Sequence, residues 1–374
     1  MESSDKSKMV YRYLGNSGLK VSLLSFGTML NEHTEETEKA WLECAKLAFD
    51  SGINYFDSAE VYGFGKGDEL LGRAIKENEW RREDLVIAVK FFMGSGPNRN
   101  GLSRKKIIEA TRASLKRMGL DYCDIVYAHR DDHETPLEET CRAFNWLIKK
   151  GYAFYWGTSA WPADMITEAI KICDQHGWYR PVVDQAEYNC LSRQHLEKSN
   201  VRLFENYRYG ISAWSPLGGG FLTGKYNDGT IPEDSRYGKS EMHKKFNWDR
   251  YIGELTKEKA LKILQDLKEL ADELGVTQAQ LALAWVLVNQ DVSTCIIGAS
   301  KVSQLESNLG ALDLIAKWDK DLEAKVEAIL DNTPQRDFNF KHWGVLPARR
   351  EKVVKYNTKL GQIEYKDDYD TYFC

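Results

Sequence analysis

Between residues 23 and 330, short apolar runs alternate with longer stretches whose apolar positions follow the helical period. The first kind reads as buried strands and the second as amphipathic helices; their alternation is the signature of βα units around a parallel sheet. Eight runs qualify as strands, at 23–26, 53–56, 85–89, 123–128, 154–157, 183–186, 211–214 and 295–297. Residues 34–50 carry Ala40, Leu42, Ala45, Leu47 and Ala48 on roughly one face, as a helix packed on such a sheet should. Helices are also predicted at 104–118, at 135–149 with Thr135 as its N-cap, and at 163–176, which stops at Gly177. The amphipathic stretch 256–274 reads as a helix whose apolar stripe packs on the sheet.

Eight such units close into a (β/α)8 barrel of the TIM type, within the α/β class. A doubly wound sheet is the competing architecture, but its G-x-G-x-x-G phosphate turn occurs nowhere in the chain. Two apolar segments around Asn16-Ser17-Gly18 predict an N-terminal β-hairpin before the barrel. The barrel domain is expected over residues 9–330, with 331–374 as a C-terminal extension packing on or near it. Two connections, 91–103 and 215–253, are long and leave from strand C-termini, the face where such barrels place their chemistry.

That face gathers an unusual set of side chains. The stretch Gly52-Ile53-Asn54-Tyr55-Phe56-Asp57-Ser58-Ala59-Glu60-Val61-Tyr62-Gly63 puts Asp57 where the second strand stops and Tyr62 on the loop after it. The third strand ends in Lys90 and the fourth in His129. A lysine that continues an apolar strand is costly to bury alone, and Asp57 is its natural partner. A phenol titrates near pH 10 by itself; an adjacent ammonium favours phenolate and should lower that value, making Tyr62 a better proton donor. His129 is placed to hydrogen-bond a substrate oxygen. The set can protonate an oxygen but holds no electron source, so a bound hydride donor is implied.

Composition narrows the classes without choosing among them. The chain is 43% hydrophobic with a net charge of −5, and its basic residues are dispersed, so nothing calls for nucleic acid or an anionic membrane. No apolar run suffices for membrane insertion; the longest late one is 281–288. The leader before Met9 is polar and resembles no signal peptide. The 7 cysteines form no C-x-x-C pair or Cys/His cluster, which points to no metal and to a reducing, cytoplasmic setting. Residues 219–225 satisfy G-x-x-x-x-G-K, but Tyr226 stands where a P-loop needs Ser or Thr.

Taken in order, GINYFDSAEVYG (52–63), LVIAVK (85–90), DIVYAHRDD (124–132), DQAEYN (184–189), AWSPLGGGFLTGKY (213–226) and IIGASKVSQLESNLGAL (296–312) resemble the aldo-keto reductase superfamily. The resemblance runs from about residue 10 to 330. It is strongest to the branch containing the β subunits of voltage-gated potassium channels and related NADPH-dependent reductases. It implies a barrel that binds NADPH in extended form, with a catalytic tetrad of Asp57, Tyr62, Lys90 and His129.

By the same resemblance, Thr28 and Asp57 would contact the cofactor, Ser159 and Gln185 would hold the nicotinamide carboxamide, and Trp214 would stack on its ring. Ser215, Leu217, Gly219 and Lys225 would line the pyrophosphate. Arg236, Ser300, Gln304 and Asn308 would hold the adenosine end with its 2′-phosphate. Met29, Phe91 and Trp161 are candidates for the substrate pocket. Three departures stand out: channel β subunits usually carry Asn at the position of His129, Trp at that of Met29, and relatives carry Glu where this chain has Ser307.

The implied activity is reduction of aldehyde or ketone carbonyls to alcohols by NADPH, with Tyr62 as general acid. The alternative is an NADP(H)-binding regulatory subunit of a potassium channel with slow or vestigial activity. The expected partners are accordingly a small carbonyl substrate, and either a homo-tetramer or a channel subunit. A remoter alternative uses Asp57 and His129 as acid and base without any nicotinamide.

Overall fold

The structure is a computed structural model that describes residues 8–335, 354–357 and 362–365. The chain divides into two units, Met1–Pro334 and Gln335–Cys374. In the second unit, strands Val354–Asn357 and Gln362–Tyr365 pair antiparallel. The expected packing of 331–374 on the barrel falls largely on residues outside those described.

The first unit begins with the expected hairpin, β1 (Tyr11–Tyr13) and β2 (Lys20–Ser22), followed by β3 (Leu24–Gly27), α1 (Glu35–Asp50), β4 (Tyr55–Asp57) and α2 (Lys66–Glu77). Next come β5 (Val86–Phe91), α3 (Arg104–Met118), β6 (Ile125–Ala128), α4 (Leu137–Lys149), β7 (Tyr155–Thr158) and α5 (Ala163–His176). The chain continues through β8 (Val183–Glu187), α6 (Val201–Tyr207), β9 (Gly210–Trp214), α7 (Arg236–Lys239), α8 (Glu241–His243) and α9 (Arg250–Leu255). It closes with α10 (Lys257–Glu273), α11 (Gln278–Val288), β10 (Val292–Ile297), α12 (Val302–Leu309), α13 (Ala311–Ile315) and α14 (Lys320–Leu330).

Strands β3 to β10 form a closed parallel barrel in the order β10-β3-β4-β5-β6-β7-β8-β9. All eight predicted strands are present, their ends displaced by no more than three residues. Apolar side chains sort by strand alternation into two layers. Tyr55, Val86, Ala88, Ile125, Tyr127 and Val183 fill the barrel, where Leu14 and Val21 of the N-terminal hairpin segment join them and close its lower end. Phe56, Ile87, Val89, Phe91 and Val126 face the helices. Two glycines are needed for this packing. A side chain on Gly15 would meet Val182 O at 2.2 Å, and one on Gly157 would meet the Tyr127 ring at 2.7 Å.

The helix signals hold with one correction. Thr34 and Thr37 form a reciprocal cap on α1, Ser103 caps α3, and Gly177 ends α5 in the left-handed conformation. Thr135, however, does not cap α4, which starts after Pro136; its hydroxyl donates instead to Asp132 Oδ2 at 2.7 Å. Asp132 Oδ1 also accepts from the Thr135 amide at 3.2 Å, so that carboxylate fixes the residue ahead of the helix. The apolar run of α11 is buried between α10, α12, α13 and the barrel, and no described helix is long and apolar enough to cross a membrane. The connection 215–253 is built of short turns, among them Gly218–Thr223, α7, α8 and α9.

Candidate active site

Alternation along three adjacent strands aims the rim residues inward. Tyr55 and Asp57 share a face of β4, Val86, Ala88 and Lys90 share a face of β5, and Ile125 and Tyr127 precede His129 with the same parity. Lys90 is completely buried and ion-paired with Asp57 Oδ2. The other carboxylate oxygen accepts a hydrogen bond from Gln185 Nε2 at 2.8 Å, so Asp57 is engaged on both sides. Ser159 Oγ donates to the Gln185 carbonyl at 2.9 Å and joins the set from β7.

Tyr62 stands on a tight turn, Tyr62–Gly65, in which Gly63, Phe64 and Gly65 all have positive φ. Buried polar contacts hold that turn in place. Thr28 Oγ1 donates to Ser58 Oγ at 3.0 Å, and Ser58 Oγ donates to the buried Asp68, which also takes Ser114 Oγ at 2.7 Å and Arg117. Glu60 accepts from the Phe92 amide at 2.9 Å and pairs with Lys106 at 2.7 Å. The phenol ring is thereby set with Lys90 Nζ 4.8 Å from its centroid and the His129 ring edge-on at 6.4 Å.

The electrostatics correct one expectation. Burial raises the Tyr62 phenol above its usual value; Lys90 pulls it down, yet not enough to win. Tyr62 therefore carries its proton at neutral pH, as a proton donor must. For Lys90 burial acts to lower the value, but Asp57 and Tyr62 outweigh it and the ammonium is favoured. His129 is driven down to about 2 by burial first, then by Lys90 and Arg130. It is a neutral imidazole, and its Nδ1 is buried without a partner among the described residues.

The remaining predicted residues separate into groups. Thr28 lies buried beside the tetrad through Ser58, and its amide donates to the Asp57 carbonyl at 2.9 Å. Trp214 ends β9, and Ser215 follows with a positive φ of 52°. The Ser215 carbonyl accepts from Asn189 Nδ2 at 3.0 Å, and the Leu217 carbonyl from the Gly220 amide at 2.9 Å. Gly219 packs so closely on Asn247 that a side chain there would meet it at 2.7 Å, and Lys225 is exposed.

Arg236 opens α7 and is half-buried, and the loss of solvent around it lowers its pKa. Its Nε has no partner, and a terminal nitrogen lies 3.2 Å from His243 Nε2. Ser300 lies two residues before α12, and Gln304 folds back to accept from its amide at 2.9 Å and its hydroxyl at 3.0 Å. Asn308 is buried on the same helix.

The pocket candidates diverge. Met29 is 45% exposed on the loop after β3, whereas Phe91 and Trp161 are fully buried in the apolar layer between barrel and helices. The parity that points Lys90 inward points Phe91 outward, which sets it apart from the rim. The structure also shows residues the sequence did not single out. Arg130 donates to the His129 carbonyl at 2.5 Å and to Ser159 Oγ at 3.2 Å. Arg250 forks onto Glu187 at 2.8 and 2.5 Å, and Tyr251 OH donates to the same carboxylate at 2.9 Å. Adjacency to His129 was a usable signal for the first; the second joins residues 63 apart and had none.

A family model described as the aldo/keto reductase family matches residues 23–331. Over 337 residues, covering 89% of this chain and all of the relative, the sequence is 45% identical to a "Probable voltage-gated potassium channel subunit beta" of Arabidopsis thaliana. A protein of the same description from Oryza sativa subsp. japonica is 43% identical over the same shares. A "Putative voltage-gated potassium channel subunit beta" of Schizosaccharomyces pombe is 44% identical, covering 87% of this chain and 94% of that protein.

Proposed function

Since this chain belongs to the aldo/keto reductase family, we propose that it is a cytoplasmic NADPH-dependent reductase of aldehydes and ketones. The observation that carries this reading is the buried Lys90–Asp57 pair set beneath a protonated phenol and a neutral imidazole. Such a pair is a weak source of stability, because desolvating both charges costs several kcal/mol by order of magnitude. Its use is to favour negative charge on whatever oxygen lies next to Tyr62.

The residues fit a phosphorylated dinucleotide. Arg236 is a half-buried cation with no acidic partner among the described residues, and its Nε is a buried donor left unmet, as suits a site for an anion such as the 2′-phosphate. Thr28, Asp57, Ser159, Gln185 and Trp214 would hold the nicotinamide end. Ser215, Leu217, Gly219 and Lys225 would hold the pyrophosphate, and Ser300, Gln304 and Asn308 the adenosine. When bound, NADPH supplies hydride to the carbonyl carbon. The protein does the rest: His129 donates a hydrogen bond that aligns the carbonyl oxygen, and Tyr62 gives that oxygen its proton. Lys90, held by Asp57, stabilises the phenolate left behind. The products are the alcohol and NADP⁺.

Removing the phenolic hydroxyl tests this. In Tyr62→Phe, NADPH binding should persist while turnover of 4-nitrobenzaldehyde falls by roughly 10²–10⁴, the usual size of general acid assistance. Undiminished turnover would refute the mechanism. A second reading, an NADP(H)-binding channel subunit with slow chemistry, is favoured by the three relatives described as channel β subunits. Light scattering on the purified protein bears on it: a stable tetramer with negligible turnover supports the second reading, and a monomer with brisk turnover removes it.

A further inference from the structure

Arg130 follows His129 directly, and its place at the rim is unlike that of the neighbouring cations. Lys90 is paired with Asp57, Lys106 with Glu60, Arg117 with Asp68 and Arg250 with Glu187. Arg130 has no acidic partner among the described residues, although the two residues after it are aspartates. Asp131 turns to His133 at 2.8 Å, and Asp132 is taken up by the Leu102 amide and the Thr135 hydroxyl.

The guanidinium is nonetheless held. A single terminal nitrogen, Nη1, donates both to the His129 carbonyl at 2.5 Å and to Ser159 Oγ at 3.2 Å. Nε and the other terminal nitrogen have no protein partner among the described residues and are not sealed from solvent. They form the two-donor edge that matches a carboxylate, presented by a group fixed in advance. The positive charge is felt where the chemistry would occur, since it acts on both the His129 imidazole and the Tyr62 phenol.

We propose that Arg130 is the receptor for an anionic group on the substrate, and that the preferred substrates are aldehydes or ketones bearing a carboxylate. This deepens the reductase reading and rests on it. Arg236 is the other unpaired guanidinium of the site and is the one assigned to the cofactor phosphate. Arg130 sits instead between His129, which would align the carbonyl, and Ser159, which would hold the nicotinamide. An anion there lies beside the reacting centre rather than at the adenosine end.

The test compares 4-carboxybenzaldehyde with its methyl ester under NADPH, in the wild type and in Arg130→Met and Arg130→Lys. The wild type should favour the acid, and the acid-to-ester ratio of kcat/KM should fall by about tenfold or more in Arg130→Met, chiefly through KM. Arg130→Lys should recover part of the ratio, because it restores charge without the fork. A second arm needs no turnover: calorimetric binding of 4-(hydroxymethyl)benzoate to the NADP⁺-saturated protein should be lost in Arg130→Met. If neither aldehyde consumes NADPH, the reductase reading fails while the calorimetric arm still decides the role of Arg130. No preference for the acid, an equal loss on acid and ester, benzoate binding that survives the substitution, or NADPH affinity falling in step with the ratio would each overturn the assignment.

Discussion

Two cations, Lys90 and Arg236, divide this molecule. At the strand rim, Lys90 is enclosed by the barrel and neutralised by Asp57, whose second oxygen is bonded to Gln185. In the connection after β9, Arg236 is half-buried and has no acidic partner among the described residues; a terminal nitrogen lies against the neutral His243, which burial and Arg236 hold down to about 4. The Lys90 charge is answered within the fold. The connection contains a charge whose partner is absent from the described chain. Proton transfer is thus assigned to the Lys90–Asp57 pair and cofactor-phosphate binding to Arg236, and substitutions should separate them.

The largest effect should come from breaking the complete pair. Lys90→Met leaves Asp57 buried and unpaired, which should cost about 3–5 kcal/mol in urea unfolding and abolish turnover. The matching change in the connection should do the opposite to the free protein. Arg236→Met removes an unpaired, half-buried charge, so the free protein should be no less stable. Its NADPH affinity should weaken by about 1.5–3 kcal/mol, the worth of hydrogen bonds to charged groups, with little change for NADH. Equal destabilisation by both substitutions would erase the distinction.

A pH profile sharpens the account of the rim. The His129 value of about 2 lies far below the ~6.5 of an unfolded chain, so below pH 6.5 the unfolded state binds the extra proton. This contribution is whole above pH 6.5 and is lost as pH falls toward 2. The wild type should lose on the order of 1.4 kcal/mol per pH unit on that limb from this group alone, and His129→Asn should flatten the slope. The smallest effect concerns the Glu187–Arg250 pair, which ties the connection to the end of β8. Glu187→Gln replaces a forked, partly exposed ion pair and should cost about 0.5–1.5 kcal/mol, read in stopped flow as faster release of NADPH.

Much of the rim was legible in the sequence, because it rests on local rules. Strand parity is two, so an apolar run ending in Lys90 fixes which way the ammonium points once the run is a strand. The same parity shows why Phe91 lies outside: one residue decides the face, and composition alone does not. The connection was less legible for a different reason. Its partners are far apart in the chain, as with Glu187 and Arg250 or Asn189 and Tyr251, and no periodicity links them. Thr135 is no cap because Asp132, three residues back, takes both its amide and its hydroxyl and the helix starts only after Pro136. Tyr62 was misjudged in its pKa because the sequence shows a nearby lysine but not the depth of burial that outweighs it.

The most direct measurement is a crossed comparison of Tyr62→Phe and Arg236→Met, each assayed for NADPH dissociation constant and for 4-nitrobenzaldehyde turnover at saturating NADPH. The account predicts that Tyr62→Phe binds NADPH as the wild type does and does not turn over, while Arg236→Met binds weakly and, once saturated, turns over. If either substitution abolishes both properties in a protein that remains folded, the division between the two cations is contradicted.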